Sequence, residues 1–307
     1  MKIGLQSIIN SRFGVGLAFT LSRLIPPSMG NRIAGFAAHQ IASRRDLKMV
    51  RVVRANQWVA NGKSLSSKAL DQLVEDTFHH TGRSIYSFYH VLQNPERMMQ
   101  LVKMNPKIDE FIRHNLETKK GLIFAGIHIS NFDMALYAAV NYVLARYQVE
   151  GMAFGFPNPG GGYQWQNEIR RTTGVEVIPG SMAALRQASK LIRRGGMVIT
   201  GIDRPWAEST YKPVFFNVRA AMPVHHVMLA LMTHTPIVVA GVTMDANGIY
   251  QIFMSDPIEM QSTADRREEI LVNAENVLKV AEQYIRQAPY QWAMFYPVWP
   301  EALEEMP

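Results

Sequence analysis

The sequence predicts an α/β fold, a mixed central sheet flanked by helices, preceded by amphipathic N-terminal helices. Up to about residue 105, apolar residues recur at helical spacing, whereas from residue 106 onward short β-rich runs alternate with amphipathic helices. Of the 307 residues, 48% are apolar and 19% are charged, so the chain can bury a substantial core. We expect a helical region over residues 1–105, packed on an α/β body over residues 106–307 in one cooperative domain.

The N-terminal helices are predicted from apolar residues three and four positions apart, with breaks at Pro26-Pro27 and Gly62; the segments are 5–24, 33–41 and 65–92. The longest apolar stretch at the start, residues 13–21, is flanked by Arg12 and Arg23. It reaches about half of the ~20 residues that a bilayer crossing requires. We therefore expect no membrane-spanning segment, and no cleavage site typical of a signal peptide follows.

In the body, the pattern predicts alternating strands and helices. The predicted strands are 121–128, 151–156, 175–179, 197–203, 213–218, 236–244 and 249–256. The predicted helices are 131–145, 183–194, 224–232 and 264–287. This order favours a sandwich of helices on the faces of a mixed sheet.

Positive charge is concentrated at the N-terminus. Residues 1–56 contain nine Lys or Arg and a single acid, Asp46, a net charge of +8, whereas the whole chain carries +7. A basic, amphipathic region of this kind favours an anionic membrane surface, which makes residues 1–105 the membrane-facing region. Nucleic acid is not expected as a partner, because no recognised nucleic-acid-binding signature accompanies the charge. A solvated basic face is the alternative interpretation.

Several chemistries are excluded by composition. The chain has no cysteine, so disulfides, thiolate metal sites and a cysteine acyl-enzyme are ruled out. No G-x-S-x-G sequence occurs, which removes the usual serine nucleophile elbow. The adjacent pairs His79-His80 and His225-His226 lack metal-ligand spacing and are interpreted as structural or surface residues. We expect no metal site and no permanently bound cofactor.

The segment GIHISNFDMAL, residues 126–136, contains the strongest candidate for chemistry. His128 ends a predicted strand, and Asp133 falls in the first turn of the next helix. Histidine can take a proton from an alcohol, and a neighbouring carboxylate can fix its tautomer. No nucleophilic side chain accompanies the pair, so the substrate would supply the hydroxyl. The alternative is structural: Ser130 and Asp133 fit a helix capping box, and His128 fits a buried strand-end histidine.

This segment resembles the H-x4-[DE] motif of the bacterial lipid A late acyltransferases and the related phosphatidylinositol mannoside acyltransferases. Further blocks resemble that family in the same order, and they are residues 170–179, 182–205, 213–223 and 289–299. The resemblance spans nearly the whole chain. The sequence departs from the family pattern at two positions. Asp133 occupies a position where many members have glutamate, and Asn217 replaces the glycine of the Phe-Phe-Gly sequence in the block 213–223.

The resemblance implies a glycerolipid acyltransferase-like fold and an O-acyltransferase reaction. An acceptor hydroxyl would attack the thioester of acyl-CoA or acyl carrier protein, with His128 and Asp133 as catalytic residues and no covalent acyl-enzyme. The acceptor would be a glycolipid or lysophospholipid. The family's usual N-terminal spanning helix has no counterpart here, which favours a peripheral protein on the cytoplasmic face of the inner membrane.

Other polar residues are weaker candidates. Asp203 and Arg204 end a strand where α/β sheets place their sites, and would orient the acceptor or complete the His128 network. A strand-end salt bridge is the alternative for this pair. The remaining candidates are Glu208 as a second acid, Arg170 facing a phosphate or the developing oxyanion, and Lys212 and Arg219 facing the donor's phosphates. Each of these basic residues also fits an ordinary surface position.

Two other functions use the same features. In a lipid or thioester hydrolase, water would replace the alcohol at the same dyad. A non-catalytic lipid-binding protein would have the same fold and an apolar groove for an acyl chain, but it would catalyse no reaction. The glycine-rich segment 156–165 is interpreted as a lid over an acyl groove, with a simple turn as the alternative.

Overall fold

The computed structural model describes residues 16, 19–22, 24–104, 106–155, 161–172 and 174–307. Its main helices are α1 (Pro27–Ala42), α2 (Lys48–Ala60), α3 (Ser67–Val91), α4 (Pro95–Leu101), α5 (Pro106–Glu117), α6 (Phe132–Tyr147), α7 (Gly161–Thr172), α8 (Met182–Arg193), α9 (His225–Thr233), α10 (Arg266–Gln287) and α11 (Ala302–Glu305). A short 3-10 helix, Pro289–Gln291, follows α10. Most of the predicted segment 5–24 lies outside the described residues.

The strands are β1 (Val102–Met104), β2 (Leu122–Gly126), β3 (Gly151–Gly155), β4 (Val175–Pro179), β5 (Met197–Gly201), β6 (Val214–Phe215), β7 (Val218–Arg219), β8 (Ile237–Met244) and β9 (Tyr250–Met254). Seven of them form one sheet in the order β1-β9-β8-β2-β5-β3-β4. All pairings in it are parallel except that of β8 with β9. The predicted α/β fold with a mixed sheet flanked by helices is confirmed.

The centre of the sheet brings two strand ends together. Every residue of β2 is buried, because helices cover both faces of the sheet, and its apolar residues are therefore continuous rather than alternating. β2 pairs in parallel with β5, and Gly126 lies opposite Gly201 as the last pair of the register. His128 and Asp203 each follow two residues later. The register thus places these two side chains at the same edge of the sheet.

Two segments differ from the prediction. Residues 213–218 were expected to form a strand, but they contribute to a separate two-stranded hairpin of β6 and β7. Phe216 and Asn217 form its turn with φ of 50° and 61°. A two-residue turn of this hand requires positive φ at both central positions, and asparagine tolerates it well, so Asn217 fits where the family has glycine. In addition, β1 joins the edge of the sheet although it precedes residue 106.

The N-terminal helices contact each other and the C-terminal segment, residues 289–299. α1 packs closely on α3, and a Cβ on Gly30 would lie 2.3 Å from the ring of Tyr86. In α2, the side-chain amide of Gln57 donates to the carbonyls of Pro289 (2.7 Å) and Trp292 (3.0 Å). Within the described ranges, no helix is both long and apolar enough to cross a membrane.

Candidate active site

His128 lies just beyond the end of β2 and is fixed by close packing. Its ring contacts Gly201, where a Cβ would lie 2.8 Å from Cε1 of the imidazole. Nδ1 of His128 lies 2.6 Å from Oδ1 of Asp203. In the neutral tautomer that donates from Nδ1 to this carboxylate, Nε2 carries a lone pair and can accept a proton.

Asp203 follows β5 and has no exposed surface. Its Oδ2 accepts hydrogen bonds from the backbone N–H of His128 and from the indole Nε1–H of Trp292, both at 2.8 Å. Burial by itself would raise the pKa of Asp203, but the facing His128 and these hydrogen bonds hold that pKa below its ordinary value. The side chain is therefore an ionised carboxylate against Nδ1 of His128.

The predicted pairing of His128 with Asp133 is corrected by this geometry. Asp133 lies in the first turn of α6, and its Oδ1 accepts from Nε of Arg170 at 2.7 Å. Arg170 also donates to Oδ1 of Asn167 at 3.1 Å. The carboxylate on Nδ1 of His128 comes from the neighbouring strand end, because the parallel register of β2 and β5 places His128 and Asp203 side by side. A catalytic contribution from Asp133 stays a prediction.

The alternative capping role for Ser130 and Asp133 also differs from what the structure shows. Oδ1 of Asn131 accepts from the backbone N–H of Met134 at 2.9 Å, so asparagine caps α6. Ser130 has a positive φ of 52°, and its hydroxyl instead lies 2.9 Å from Nε2 of His80.

Helix α3 and the C-terminal segment hold the loop after His128 from two sides. The backbone N–H of Ser130 donates to the carbonyl of Gln291 at 2.7 Å, and the amide of Asn131 donates to the carbonyl of Ser84 at 2.9 Å. Burial, with neighbouring Arg83 and His79, lowers the pKa of His80 to about 4, so this α3 residue is neutral near pH 7. The loop is therefore anchored by residues distant in sequence.

A cleft opens next to His128, with a cavity volume of about 100 Å³. Its lining includes Arg170 and Arg204, and the guanidinium of Arg204 lies 3.6 Å above the ring of Tyr296. Trp206 and His225 stack with ring centroids 4.7 Å apart and form another wall.

A second cavity, of about 80 Å³, has an almost wholly apolar lining. It shares the lining residues Phe132, Leu136 and Ile199 with the cleft beside His128, so the two spaces are adjacent. Phe132 lies against the end of β2, where a Cβ on Gly126 would be 2.6 Å from its ring. Together, the two cavities offer a polar site next to an apolar one.

The other predicted residues lie elsewhere. Glu208, Lys212 and Arg219 are exposed and do not line the cleft. Arg219 donates to the carbonyl of Lys212 at 3.1 Å, so these two residues lie together at the β6–β7 hairpin. Their assignment to the donor's phosphates stays a prediction. Of the proposed lid, 156–160 lie outside the described residues, and the following residues from Gly161 begin α7.

Sequence reasoning missed three contributions to the site. Trp292 was noted only as part of the family-like block 289–299, and the stacked pair Trp206 and His225 was not connected with the cleft. His80 was interpreted as a structural or surface residue, yet it contacts the loop after His128. No local spacing signal marks these residues, because each reaches the site from a different element of the fold.

The family model described as bacterial lipid A biosynthesis acyltransferase matches residues 7–301. The chain belongs to this family. The resemblance inferred from the order of the motifs is thus confirmed, and membership in the lipid A biosynthesis acyltransferase family supports an acyltransferase of lipid biosynthesis. A comparison with curated protein sequences found no match.

The site combines a potential base with positively charged residues. An imidazole with a buried carboxylate on Nδ1 can remove a proton from a hydroxyl through Nε2 and return it to a leaving group. The adjoining guanidinium groups can stabilise negative charge that develops in the cleft.

Proposed function

We propose that the protein transfers a fatty acyl group from acyl-CoA or acyl carrier protein to a hydroxyl of a glycolipid or lysophospholipid, without a covalent acyl-enzyme. The observation that carries the proposal is the contact of His128 Nδ1 with the buried Asp203 carboxylate, at a cleft that adjoins an apolar cavity. An activated base next to a site for a hydrocarbon chain is the combination that acyl transfer to an alcohol needs.

In the proposed reaction, Nε2 of His128 takes the proton of the acceptor hydroxyl as its oxygen attacks the thioester carbonyl. The tetrahedral intermediate collapses with cleavage of the carbon–sulfur bond, and the imidazolium returns the proton to the departing thiolate. The products are the acyl ester and the free thiol carrier. Asp203 stabilises the imidazolium between these two steps, which is the role of the carboxylate in a hydrolase triad.

Arg170 and Arg204 are proposed to face the negative charge of the reaction, either the developing oxyanion or a phosphate of a substrate. In this scheme Asp133 is a positioning residue, because its carboxylate holds Nε of Arg170 at 2.7 Å and so orients the guanidinium at the cleft.

The apolar cavity is proposed to hold part of the acyl chain. Its lining is almost wholly apolar, and it shares Phe132, Leu136 and Ile199 with the cleft. Each methylene group that enters such a space contributes about 0.8 kcal/mol, so binding should strengthen with chain length until the space is full.

An anionic membrane surface is the proposed setting, through one face of α1. The opposite face packs on α3 at Gly30, whereas Met29, Ile33 and Phe36 are large apolar side chains that are 52%, 49% and 69% exposed. Their spacing places them on one side of the helix, and Arg32 lies on the same helix. A cationic helix with an exposed apolar stripe is typical of interfacial binding.

The test is an acyl-transfer assay with labelled thioesters of several chain lengths and a mixed lipid extract, followed by mass analysis of the products. We expect a labelled lipid ester from the whole chain, more from long-chain than from acetyl donors. His128→Ala should lower the rate by about 10³-fold or more, because the base is removed.

Three outcomes would contradict the proposal. Labelled free fatty acid without lipid ester would indicate a hydrolase that uses the same dyad. Lipid binding without turnover would indicate a non-catalytic lipid-binding protein. Normal transfer by His128→Ala would remove His128 from the mechanism.

A further inference from the structure

The C-terminal segment reaches the candidate active site through the side chain of Trp292. The indole ring has no exposed surface, and its Nε1–H donates to Oδ2 of Asp203 at 2.8 Å. The backbone of the same segment also meets the loop after β2, because Trp292 and Ile129 form an antiparallel bridge. Trp292 thus contacts Asp203 through its side chain and the residue after His128 through its backbone.

Few hydrogen-bond donors satisfy the buried Asp203 carboxylate among the described residues. Oδ1 faces the imidazole of His128, and Oδ2 accepts from the backbone N–H of His128 and from the indole of Trp292. A buried carboxylate is costly unless its oxygens are hydrogen-bonded. An indole N–H donates only and does not titrate, so it favours the ionised form of the carboxylate at every working pH.

We propose that Trp292 is a positioning residue for acyl transfer: its indole N–H keeps the Asp203 carboxylate ionised and directed at Nδ1 of His128. The inference rests on the proposed function of His128 as the base. It gives a residue of the C-terminal block 289–299 a role in the chemistry of the site. Packing alone would require only a large apolar ring at this position.

Trp299 provides a matched control in the same aromatic cluster. It is as buried as Trp292, and both rings pack against Phe215 and Phe216. Its Nε1–H donates to the carbonyl of Val218 at 3.4 Å, away from Asp203. Trp292→Phe and Trp299→Phe therefore remove the same group from similar surroundings, and only the first removes a donor from Asp203.

Loss of the indole donor should change the pH dependence of the reaction. With one donor fewer, the Asp203 carboxylate attracts a proton more strongly, so the His128–Asp203 pair remains protonated to higher pH. The base must be deprotonated to act, and the acidic limb of the kcat/KM profile should move up by about 0.5 to 1 pH unit.

The other charged or titratable groups around the pair remain in place in both variants. Those that line the cleft or contact the loop are Arg170 with its partner Asp133, Arg204, His225 and His80. A difference between Trp292→Phe and Trp299→Phe therefore reports the indole contact rather than these groups.

The closing experiment uses the whole chain labelled with 15N at histidine and tryptophan and titrated across neutral pH by NMR. His128→Gln assigns the imidazole resonance. We expect the titration midpoint of the His128 ring to rise by about 0.5 to 1 unit in Trp292→Phe and to stay unchanged in Trp299→Phe. In the unsubstituted protein, the indole N–H resonance of Trp292 should follow the same titration, and that of Trp299 should not.

Equal midpoints in the two phenylalanine variants would overturn the proposal. So would a Trp292 indole resonance that stays constant while His128 titrates, and this readout requires no substitution that impairs folding. The titration is measured without substrate. Failure of the proposed function would appear instead as an unsubstituted protein that transfers no acyl group, although the coupling of Trp292 to His128 is present.

Discussion

The edge of the sheet around Asp203 and the exposed face of α1 depart from ordinary burial in opposite ways. At the sheet edge, a carboxylate is completely buried and is held by an imidazole, a backbone amide and an indole. On α1, Phe36 is 69% exposed, with Met29 and Ile33 exposed beside it.

A buried polar group and an exposed apolar patch are the two observations that carry information about function. Both have a free-energy cost in an isolated soluble protein. Hydrogen bonds inside the fold satisfy Asp203, whereas an anionic membrane surface is the proposed partner of the exposed face of α1. Changes at Asp203 should therefore have large effects on chemistry, and changes on α1 smaller effects on binding.

The largest effect is expected at the buried edge. Asp203→Asn keeps the size of the side chain but removes the charge that stabilises the imidazolium and fixes the tautomer of His128. We expect kcat to fall by about 10³- to 10⁴-fold with long-chain donors, as for the carboxylate of a hydrolase triad. Steady-state kinetics and a thermal melt check this. A kcat of Asp203→Asn above a tenth of normal would show that the buried carboxylate does not support His128.

An intermediate effect is expected at Asp133, which is charged and mostly buried but lies on the helix rather than the strand end. Asp133→Asn should lower kcat/KM by about 10- to 100-fold, because it loosens Arg170 without touching the contact on Nδ1.

A double-mutant cycle with Arg170→Ala separates the two possible routes of action. If Asp133 acts through Arg170, Asp133→Asn should have little further effect once the arginine has been removed. Additive losses, or a loss as large as that of Asp203→Asn, would show that Asp133 acts directly on the reacting groups.

The smallest effect is expected on the face of α1. Met29→Ser removes one apolar side chain from the proposed membrane contact. Binding to anionic vesicles should weaken by about fivefold, because the exposed half of the methionine side chain no longer contributes buried apolar area. Met182 on α8 is a matched control, since it is 56% exposed against 52% for Met29.

Sedimentation with vesicles of defined composition measures both variants. Met182→Ser should bind as the unsubstituted protein does, and binding of all three should weaken with salt and with neutral lipid. Equal losses from Met29→Ser and Met182→Ser would show that the α1 face has no special role.

The class of the fold, His128 and the candidacy of Asp203 were predictable from the sequence. The central strand β2 is buried on both faces, so its apolar run was recognisable without neighbours, and the long helix α10 lies within two residues of its predicted bounds. His128 was recognisable because it follows that strand in a motif with a family pattern. Local periodicity and order along the chain contain this information.

The tertiary structure decided which of the two candidate acids lies on His128, and it added Trp292, which the sequence did not connect with the site. Asp133 is five residues from His128, but its place in the first turn of α6 directs it to Arg170. Asp203 is 75 residues away, and the parallel register of β2 and β5 brings it onto Nδ1. Trp292, a further 89 residues along the chain, reaches the same carboxylate. Sequence spacing predicts contacts only along one element, whereas strand register and the packing of distant segments choose the partner across elements.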